Sequence, residues 1–482
     1  MAQTILTAVA EVQPASAHRL RAQLDALTAR QEAKPSPGDQ AYDHLRSAVP
    51  VLHFMSITVA SDDQYDPLLV IEANFDGPAA AFWPQLEAAI GPDLRALLRG
   101  CKRPRDARGA LFDAVTQPGS SAPLAPLLHA LTVLPAVQHQ GNRGLDRARV
   151  IAEGKLFQAV QDQLDSPAAP GPRQRPAELI HQHLRAALLP QFAWLASPAP
   201  LRIARAERLA DLARGLVFVA LLLVFFALSA WLLCQLANPL LDRLEIVWPS
   251  LHQHRLDSVI HHRPLKWGLL TVLGALLIVP AVLLRLRRLE RTDAATDAPR
   301  VDEAALREMA RREDFITQNH MISIVHVKPG VLRMVLARLA LRALGLLLRI
   351  TATNGYLISM RTIHFAHWSL LDNGGRLMFH SNFDGSWESY LDDFIEKAHV
   401  GLTLAWTHGV GFPPTRLLSQ GGATEGRKFK AWARHSMSQS GFWFSAYKQY
   451  SVNQIERHAR LAIGLRQATL TPQEASAWAI DL

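Results

Sequence analysis

Asn382-Phe383-Asp384-Gly385 stands 308 residues after an identical tetrapeptide, Asn74-Phe75-Asp76-Gly77. Each copy ends an apolar, strand-like run. Each run is preceded by another that carries a His-Phe pair, His364-Phe365 in one case and His53-Phe54 in the other. Around the later copy, 362–371 reads as a strand and Asp372-Asn373-Gly374-Gly375 as a tight turn, since Asn and Gly accept positive φ. Residues 376–383 read as the returning strand. Ser386 is placed to cap a helix, with Glu388, Asp392 and Asp393 near its positive end. Trp387, Tyr390, Leu391, Phe394, Ile395 and Ala398 recur at helical spacing, Gly401 reads as the stop, and 402–406 reads as a further strand.

The earlier copy repeats this order, with strands at 51–60 and 67–75 and a helix at 78–90. Phe82, Trp83 and Leu86 lie five, six and nine residues after Gly77, as Tyr390, Leu391 and Phe394 do after Gly385. Upstream, strand candidates at 4–14 and 322–329 each lead into a helical run, at 15–30 and 331–350. Downstream, Asn142-Arg143-Gly144 precedes a helix at 145–164, and Tyr447-Lys448-Gln449 precedes one at 451–465. Each half then runs strand, helix, strand, strand, helix, strand, the ferredoxin-like βαββαβ order. A single repeat of this length indicates a duplicated domain rather than a solenoid.

Between the halves the chain becomes lipid-compatible. Residues 215–236 are uncharged, and at about 1.5 Å per residue they match a hydrocarbon core of roughly 30 Å. Residues 267–284 form a second uncharged run containing Pro280, and Asn238-Pro239 reads as the end of the first. Arg202, Arg205, Arg208 and Arg214 precede the hairpin, and Arg285, Arg287, Arg288 and Arg291 follow it. The segment between carries fewer cations mixed with acids, so the positive-inside rule expects both ends in the cytoplasm and 237–266 as a short periplasmic loop. The helix at 331–350 carries Arg338, Arg342 and Arg349 on one side. It reads either as a helix lying on the membrane with arginines toward phosphates or as a packed helix with a solvated arginine stripe.

The expected architecture is α+β: two ferredoxin-like repeats forming a dimeric-α/β-barrel-like unit, separated by a two-helix transmembrane hairpin. The expected divisions are 1–165, a Pro-rich linker and helix at 166–200, the hairpin at 201–291, the second repeat at 320–465 and a tail at 466–482. The 482 residues carry a net charge of +9, yet no basic stretch interleaves with aromatics in a nucleic-acid motif, so nucleic acid is not an expected partner. Cys101 and Cys234 have no metal-ligand spacing, and a disulfide between them is not expected. The N-terminus lacks the basic start and apolar run of a signal peptide. No nucleophile elbow, phosphate-binding loop, dinucleotide fingerprint or zinc-protease motif occurs.

Polar residues concentrate in the later half: His364, His367, His380, Ser381, Asp384, Trp387 and Glu388. The earlier half has Pro78-Ala79-Ala80-Ala81 where the later has Ser386-Trp387-Glu388-Ser389. Strand alternation puts His364 with Trp368, Phe365 with His367, and His380 with Asn382. Asp384 and His364 are the catalytic candidates, and His364, His367 and His380 the candidate cofactor ligands, through a neutral ring nitrogen. The plainer reading makes each histidine a hydrogen-bonded structural residue, and Asp384 a turn former or helix cap. His252, His254, His261 and His262 in the intervening loop offer metal-ligand chemistry, but loop histidines ordinarily hold none, and no metal site is expected.

Two ferredoxin-like halves in one chain resemble the dimeric α/β barrels of dye-decolourising peroxidases and chlorite dismutases, a resemblance that implies a haem cofactor. The peroxidases carry a GxxDG motif whose Asp assists peroxide cleavage. The matching windows here are Ala73-Asn74-Phe75-Asp76-Gly77 and Ser381-Asn382-Phe383-Asp384-Gly385, with Ala and Ser at the first Gly. The run from Ser381 onward, with His320-Met321, Val327-Lys328-Pro329-Gly330, 362–365 and 444–447, is similar to an uncharacterised family of large bacterial membrane-associated proteins. That resemblance covers most of 320–465 and, weakly, 50–160, and implies a fold and a bacterial inner-membrane setting but no assigned activity. The expectations are a membrane-anchored binding module at the cytoplasmic face, with a protein partner or self-association, or alternatively a haem-dependent, peroxidase-like enzyme acting on a lipophilic substrate.

Overall fold

The computed structural model describes residues 3–32, 44–61, 64–166, 175–247, 263–293 and 316–482 apart from 353, 358 and 359, with residues 303, 304, 307, 310 and 311 between the last two stretches. The earlier half contains β1 (Gln3–Glu11), α1 (Ala17–Glu32), α2 (His44–Ala48), β2 (Leu52–Ala60), β3 (Leu68–Asp76), α3 (Ala79–Leu98), α4 (Arg108–Thr116), α5 (Ala125–Ala130), β4 (Thr132–Val133), β5 (Val137–Gln140), α6 (Arg147–Leu164) and α7 (Ala177–Leu188). Two long helices follow, α8 (Arg205–Val247) and α9 (Arg263–Thr292). The later half contains β6 (Gln318–His326), α10 (Val331–Thr351), β7 (Ile363–Leu371), β8 (Arg376–Asp384), α11 (Trp387–Trp406), β9 (Thr415–Arg416), β10 (Gln420–Gly421), α12 (Gly426–Ser436), β11 (Met437–Ser438), β12 (Phe442–Ser445), α13 (Val452–Arg466) and α14 (Pro472–Ala479).

Two five-stranded antiparallel sheets organise the molecule, in the orders β12-β2-β3-β1-β4 and β11-β6-β8-β7-β5. Their edges are exchanged. β12 comes from the later half and pairs with β2, Phe442 opposite Ile57. β5 comes from the earlier half and pairs with β7, Val137 opposite Trp368. The registers also correspond: Gln3 faces Asp76 in one sheet, and Gln318 faces Asp384 in the other. Each ladder slips by one residue at the histidine of its His-Phe pair, between Leu52 and Phe54 and between Ile363 and Phe365. Such a bulge re-aims the extra side chain.

Two expectations at the ends of these elements are corrected. Residues 402–406 are helix, not strand, because α11 runs through Gly401 to Trp406 with Leu402, Ala405 and Trp406 buried along its stripe. Gly401 does not take the positive φ that a glycine stop requires. The chain bends instead at Ala398 (φ −141°), thirteen residues after Gly385, just as α3 bends at Ile90 (φ −135°), thirteen after Gly77. The edge strand beside β6 is β11, as β4 is the edge strand beside β1. Second, Asn238-Pro239 does not end α8, which continues to Val247.

The exchanged strands tie the cores together. Phe365, Phe442, Phe444 and Tyr447 from the later half pack in one cluster with Leu20, Phe54, Phe75 and Trp83 from the earlier half. Val137 joins Trp368, Phe379 and Trp406. Leu68, Val70, Ile322, Leu371 and Met378 form a thin apolar layer drawn from both sheets.

Two helices, within Arg205–Leu233 and Trp267–Thr292, are long and apolar enough to cross a membrane. Leu216, Leu221 and Leu276 are 72, 63 and 65 % exposed, which sets these helices apart from a buried core helix. Polar contacts fasten their ends to the sheets. Arg143 Nη2 donates to Asp211 Oδ2 (2.6 Å) and also pairs with Glu207. On α9, the buried Glu290 carboxylate accepts from the N–H groups of Leu417 (3.0 Å) and Leu418 (2.9 Å). Those two residues have φ of 53° and 64°, so consecutive N–H groups converge as an anion nest that the carboxylate fills. Cys101 is a buried free thiol, and burial pushes its pKa up to about 12.

Candidate functional site between the two sheets

Asp384 ends β8, and Gly385 (φ 78°) turns the chain away. Asp384 Oδ1 lies 2.8 Å from His364 Nε2, and Oδ2 accepts from the N–H of Val452 (2.7 Å), the first residue of α13. In the other sheet Asp76 Oδ2 lies 3.0 Å from His53 Nε2 and accepts from the N–H of Arg147 (2.8 Å), the first residue of α6. Each tetrapeptide aspartate therefore caps a helix 68 or 71 residues further along the chain. It does not cap the helix that directly follows it. Ser386 caps α11, accepting from the N–H of Ser389 (3.3 Å). Gln318 and Gln3 complete the pattern, donating to Tyr447 O (3.1 Å) and Leu145 O (2.9 Å) in the loops that deliver α13 and α6. His53 Nδ1 also meets Tyr447 Oη at 2.7 Å, and burial, with Asp76 nearby, holds the Tyr447 hydroxyl well above its ordinary range.

Deeper between the sheets runs a second polar group that the sequence reading did not assemble. Glu72, at the centre of β3, is fully buried. Its carboxylate accepts from Ser56 Oγ (3.3 Å), Asn382 Nδ2 (3.5 Å) and Asn74 Nδ2. Burial outweighs these bonds and pushes its pKa up to about 7. Opposite stand His320, His367 and His380. His367 and His380 stack in parallel with centroids 4.7 Å apart, and His320 lies 5.9 Å from His380 on the neighbouring strand. Thr7 Oγ1 meets His367 Nε2 at 2.8 Å, and Ser440 Oγ meets His320 Nδ1 at 2.8 Å. Desolvation drops His320 and His367 to about 3 and holds His380 well below its ordinary range, so all three are neutral at physiological pH. Both ring nitrogens of His380 lack a hydrogen-bond partner among the described residues.

The structure thus joins His364 to Asp384, and His367 to His380, but as two separate groups. Alternation misplaced His364. The bulge turns it off the Trp368 face toward Asp384, which shares its face with His380 and Asn382. Ser381 faces the other way and accepts from Tyr390 Oη (2.9 Å). Trp387 stacks under the Arg434 guanidinium at 3.8 Å, and Glu388 pairs with Lys430 (2.8 Å) near the surface. Neither Glu72 nor His320 is among the candidate site residues read from the sequence, although Glu72 is the only charge in β3 before Asp76 and a lone charge in an apolar strand is a legible signal.

A haem needs a ring nitrogen directed into a space that admits a flat macrocycle. His364, His367 and His380 are 0–1 % exposed, the first engages Asp384, and the other two lie face to face. A macrocycle would have to part the two sheets to reach them, so the residues as packed do not fit the group. Among the described residues no group of three or more His, Cys, Asp or Glu is arranged to hold a metal ion. His252, His254, His261 and His262 lie outside the described residues. Comparison with protein-family models, with curated proteins and with solved structures finds no match.

Proposed function

We propose that this chain is a membrane-anchored binding module. Two ferredoxin-like halves, related by duplication, close on each other as one dimeric-α/β-barrel-like unit at the cytoplasmic face of a bacterial inner membrane. α8 and α9 form the hairpin that anchors it, and both termini lie on the cytoplasmic side. The observation that carries this reading is the repeated His-Asp pair. His53–Asp76 and His364–Asp384 occupy corresponding bulges, and each aspartate caps a corresponding helix. A group built twice, its aspartate held each time between an imidazole and the start of a distant helix, serves assembly better than catalysis. The reciprocal strand exchange supports the same view, since it satisfies within one chain the pairing that separate ferredoxin-like subunits make between them. The resemblance to large bacterial membrane-associated proteins agrees with it, and the partners in this reading are lipid and either another protein or a second copy.

Reporter fusions at residue 250 and at the C-terminus test the anchoring. The expected outcome is opposite sides of the membrane, and the same side for both overturns the hairpin. The peroxidase-like alternative on a lipophilic substrate keeps one foothold, the ring nitrogens of His380, which have no partner among the described residues. An absorption spectrum of the detergent-purified protein with added haemin is expected to show no Soret band. A band lost in His380→Phe would replace the binding reading with the haem one.

A further inference from the structure

A cleft of about 490 Å³ opens between the start of β1, the 134–136 approach to β5, and α10. This volume falls within the roughly 300–1,000 Å³ usual for small-molecule sites. Ile5, Leu6, Leu134 and Leu346 give it apolar walls, and Arg214, Arg342 and Arg349 line it with guanidinium groups. Arg342, Gly345, Leu346 and Arg349 present one helical face to it, at i, i+3, i+4 and i+7. Gly345 lets α10 approach closely, since a Cβ there would sit 3.1 Å from Ala136 O.

The charges here do not cancel. Asp211 Oδ1 accepts from Arg214 Nη1 (2.8 Å) and lies 3.7 Å from Arg349 Nε, while Asp211 and Glu207 are also shared with Arg143. Arg342 is exposed and has no hydrogen-bond or ion-pair partner among the described residues. Four guanidinium groups therefore stand over two carboxylates. The location adds a second constraint. Arg214 is the last charged residue before the uncharged run of α8, and a Cβ on Gly215 would touch Ile350 of α10 at 3.3 Å. Val331, Val335, Leu339 and Ile350 leave apolar side chains exposed along α10, between 39 and 83 %. In the membrane-anchored reading, a basic cleft beside the base of α8, flanked by an exposed apolar stripe, falls at the depth of lipid head groups.

We propose that this cleft binds the phosphate group of an anionic amphiphile, with Arg214, Arg342 and Arg349 holding the phosphate and Leu134 and Leu346 lining the apolar portion. The proposal rests on the membrane-anchored reading for its setting. Arginine suits the task because its planar fork bonds phosphate through two N–H groups and stays charged.

The test uses the full chain in neutral detergent, titrated with dioleoyl-phosphatidylglycerol and, separately, with dioleoyl-phosphatidylcholine, and followed by native mass spectrometry. Retention of phosphatidylglycerol over phosphatidylcholine is expected, with binding weakened about tenfold or more in Arg342→Glu, by the size of a charge-assisted bond. Arg342 makes no side-chain bond among the described residues, so the variant should keep the wild-type melting temperature. Equal retention of the two lipids, or equal phosphatidylglycerol binding by wild type and a folded Arg342→Glu, overturns the proposal. Added millimolar inorganic phosphate separates the sources. Displacement of the lipid assigns the site to a phosphate group that soluble ligands also supply, and persistence assigns it to the lipid. Release of the chain from membranes by alkaline carbonate would end the anchoring reading on its own, and the detergent titration would still decide the cleft.

Discussion

The His-Asp pairs and the Glu72–histidine seam lie a few residues apart on the same strands, yet they differ in one respect. The pairs are present in both halves, and the seam is not. By register, Ile5, Thr7, Ser56 and Glu72 occupy the places that His320, Ile322, His367 and His380 occupy in the other sheet. Where the two halves agree, the residues cap helices and fix the ends of the sheets. Where they differ, a carboxyl on one side meets imidazoles on the other, and the interior acquires a direction that two identical halves would lack. Repetition coincides with the residues that cap helices, and divergence with the places where unlike side chains face each other across the interior.

The largest expected effect comes from breaking what is repeated. Asp384→Ala leaves His364 and the first N–H of α13 without their partner in a buried setting, and should destabilise by about 3–5 kcal/mol. Asp76→Ala should do the same through His53 and α6. Thermal unfolding in detergent reads both, and if either variant melts like the wild type the shared structural role is wrong.

A pH-dependent effect should come from Glu72. Its carboxyl has a folded pKa of about 7, above its ordinary value, so the folded state holds a proton that the unfolded state releases as pH rises from about 4.5 to 7. That lowers stability across this window. Glu72→Gln should therefore match the wild type near pH 4 and exceed it at pH 8 by up to about 3 kcal/mol, at 1.36 kcal/mol per pH unit. The histidines act in the opposite direction. With folded values near 3 for His320 and His367, the unfolded state binds protons first, and stability falls as pH drops below about 6.5. Melting temperatures across pH 4–8 separate the two, and a gain in Glu72→Gln that does not vary with pH would remove the carboxyl from the explanation.

The smallest effect should follow substitution of His380. Its ring nitrogens have no hydrogen-bond partner among the described residues, so His380→Phe keeps the stack on His367 and should change stability by no more than about 1 kcal/mol, in either direction. His364→Phe, by contrast, strands Asp384 and should be clearly destabilising. Equal losses in the two variants would erase the distinction between pair and seam.

Much of this was legible from local pattern. The paired strands, the Asp372-Asn373-Gly374 turn, the Ser386 cap and the helical stripe from Trp387 to Phe394 depend on residues close in sequence, and alternation, helical period and turn chemistry report such elements directly. The apolar lengths of α8 and α9 were equally plain, because length and composition decide whether a helix can cross a bilayer. The chain by itself therefore determined the elements, their α+β character and the recurrence of their order. Tertiary structure alone decided that β5 and β12 exchange sheets, that the bulges turn His53 and His364 onto Asp76 and Asp384, that those aspartates cap helices some seventy residues away, and that Glu72 lies 3.9 Å from His320 of the other sheet. Each of these joins residues brought together only when the two sheets close. Pairing across such separations is governed by the burial of both faces at once, and no period within a single strand records it.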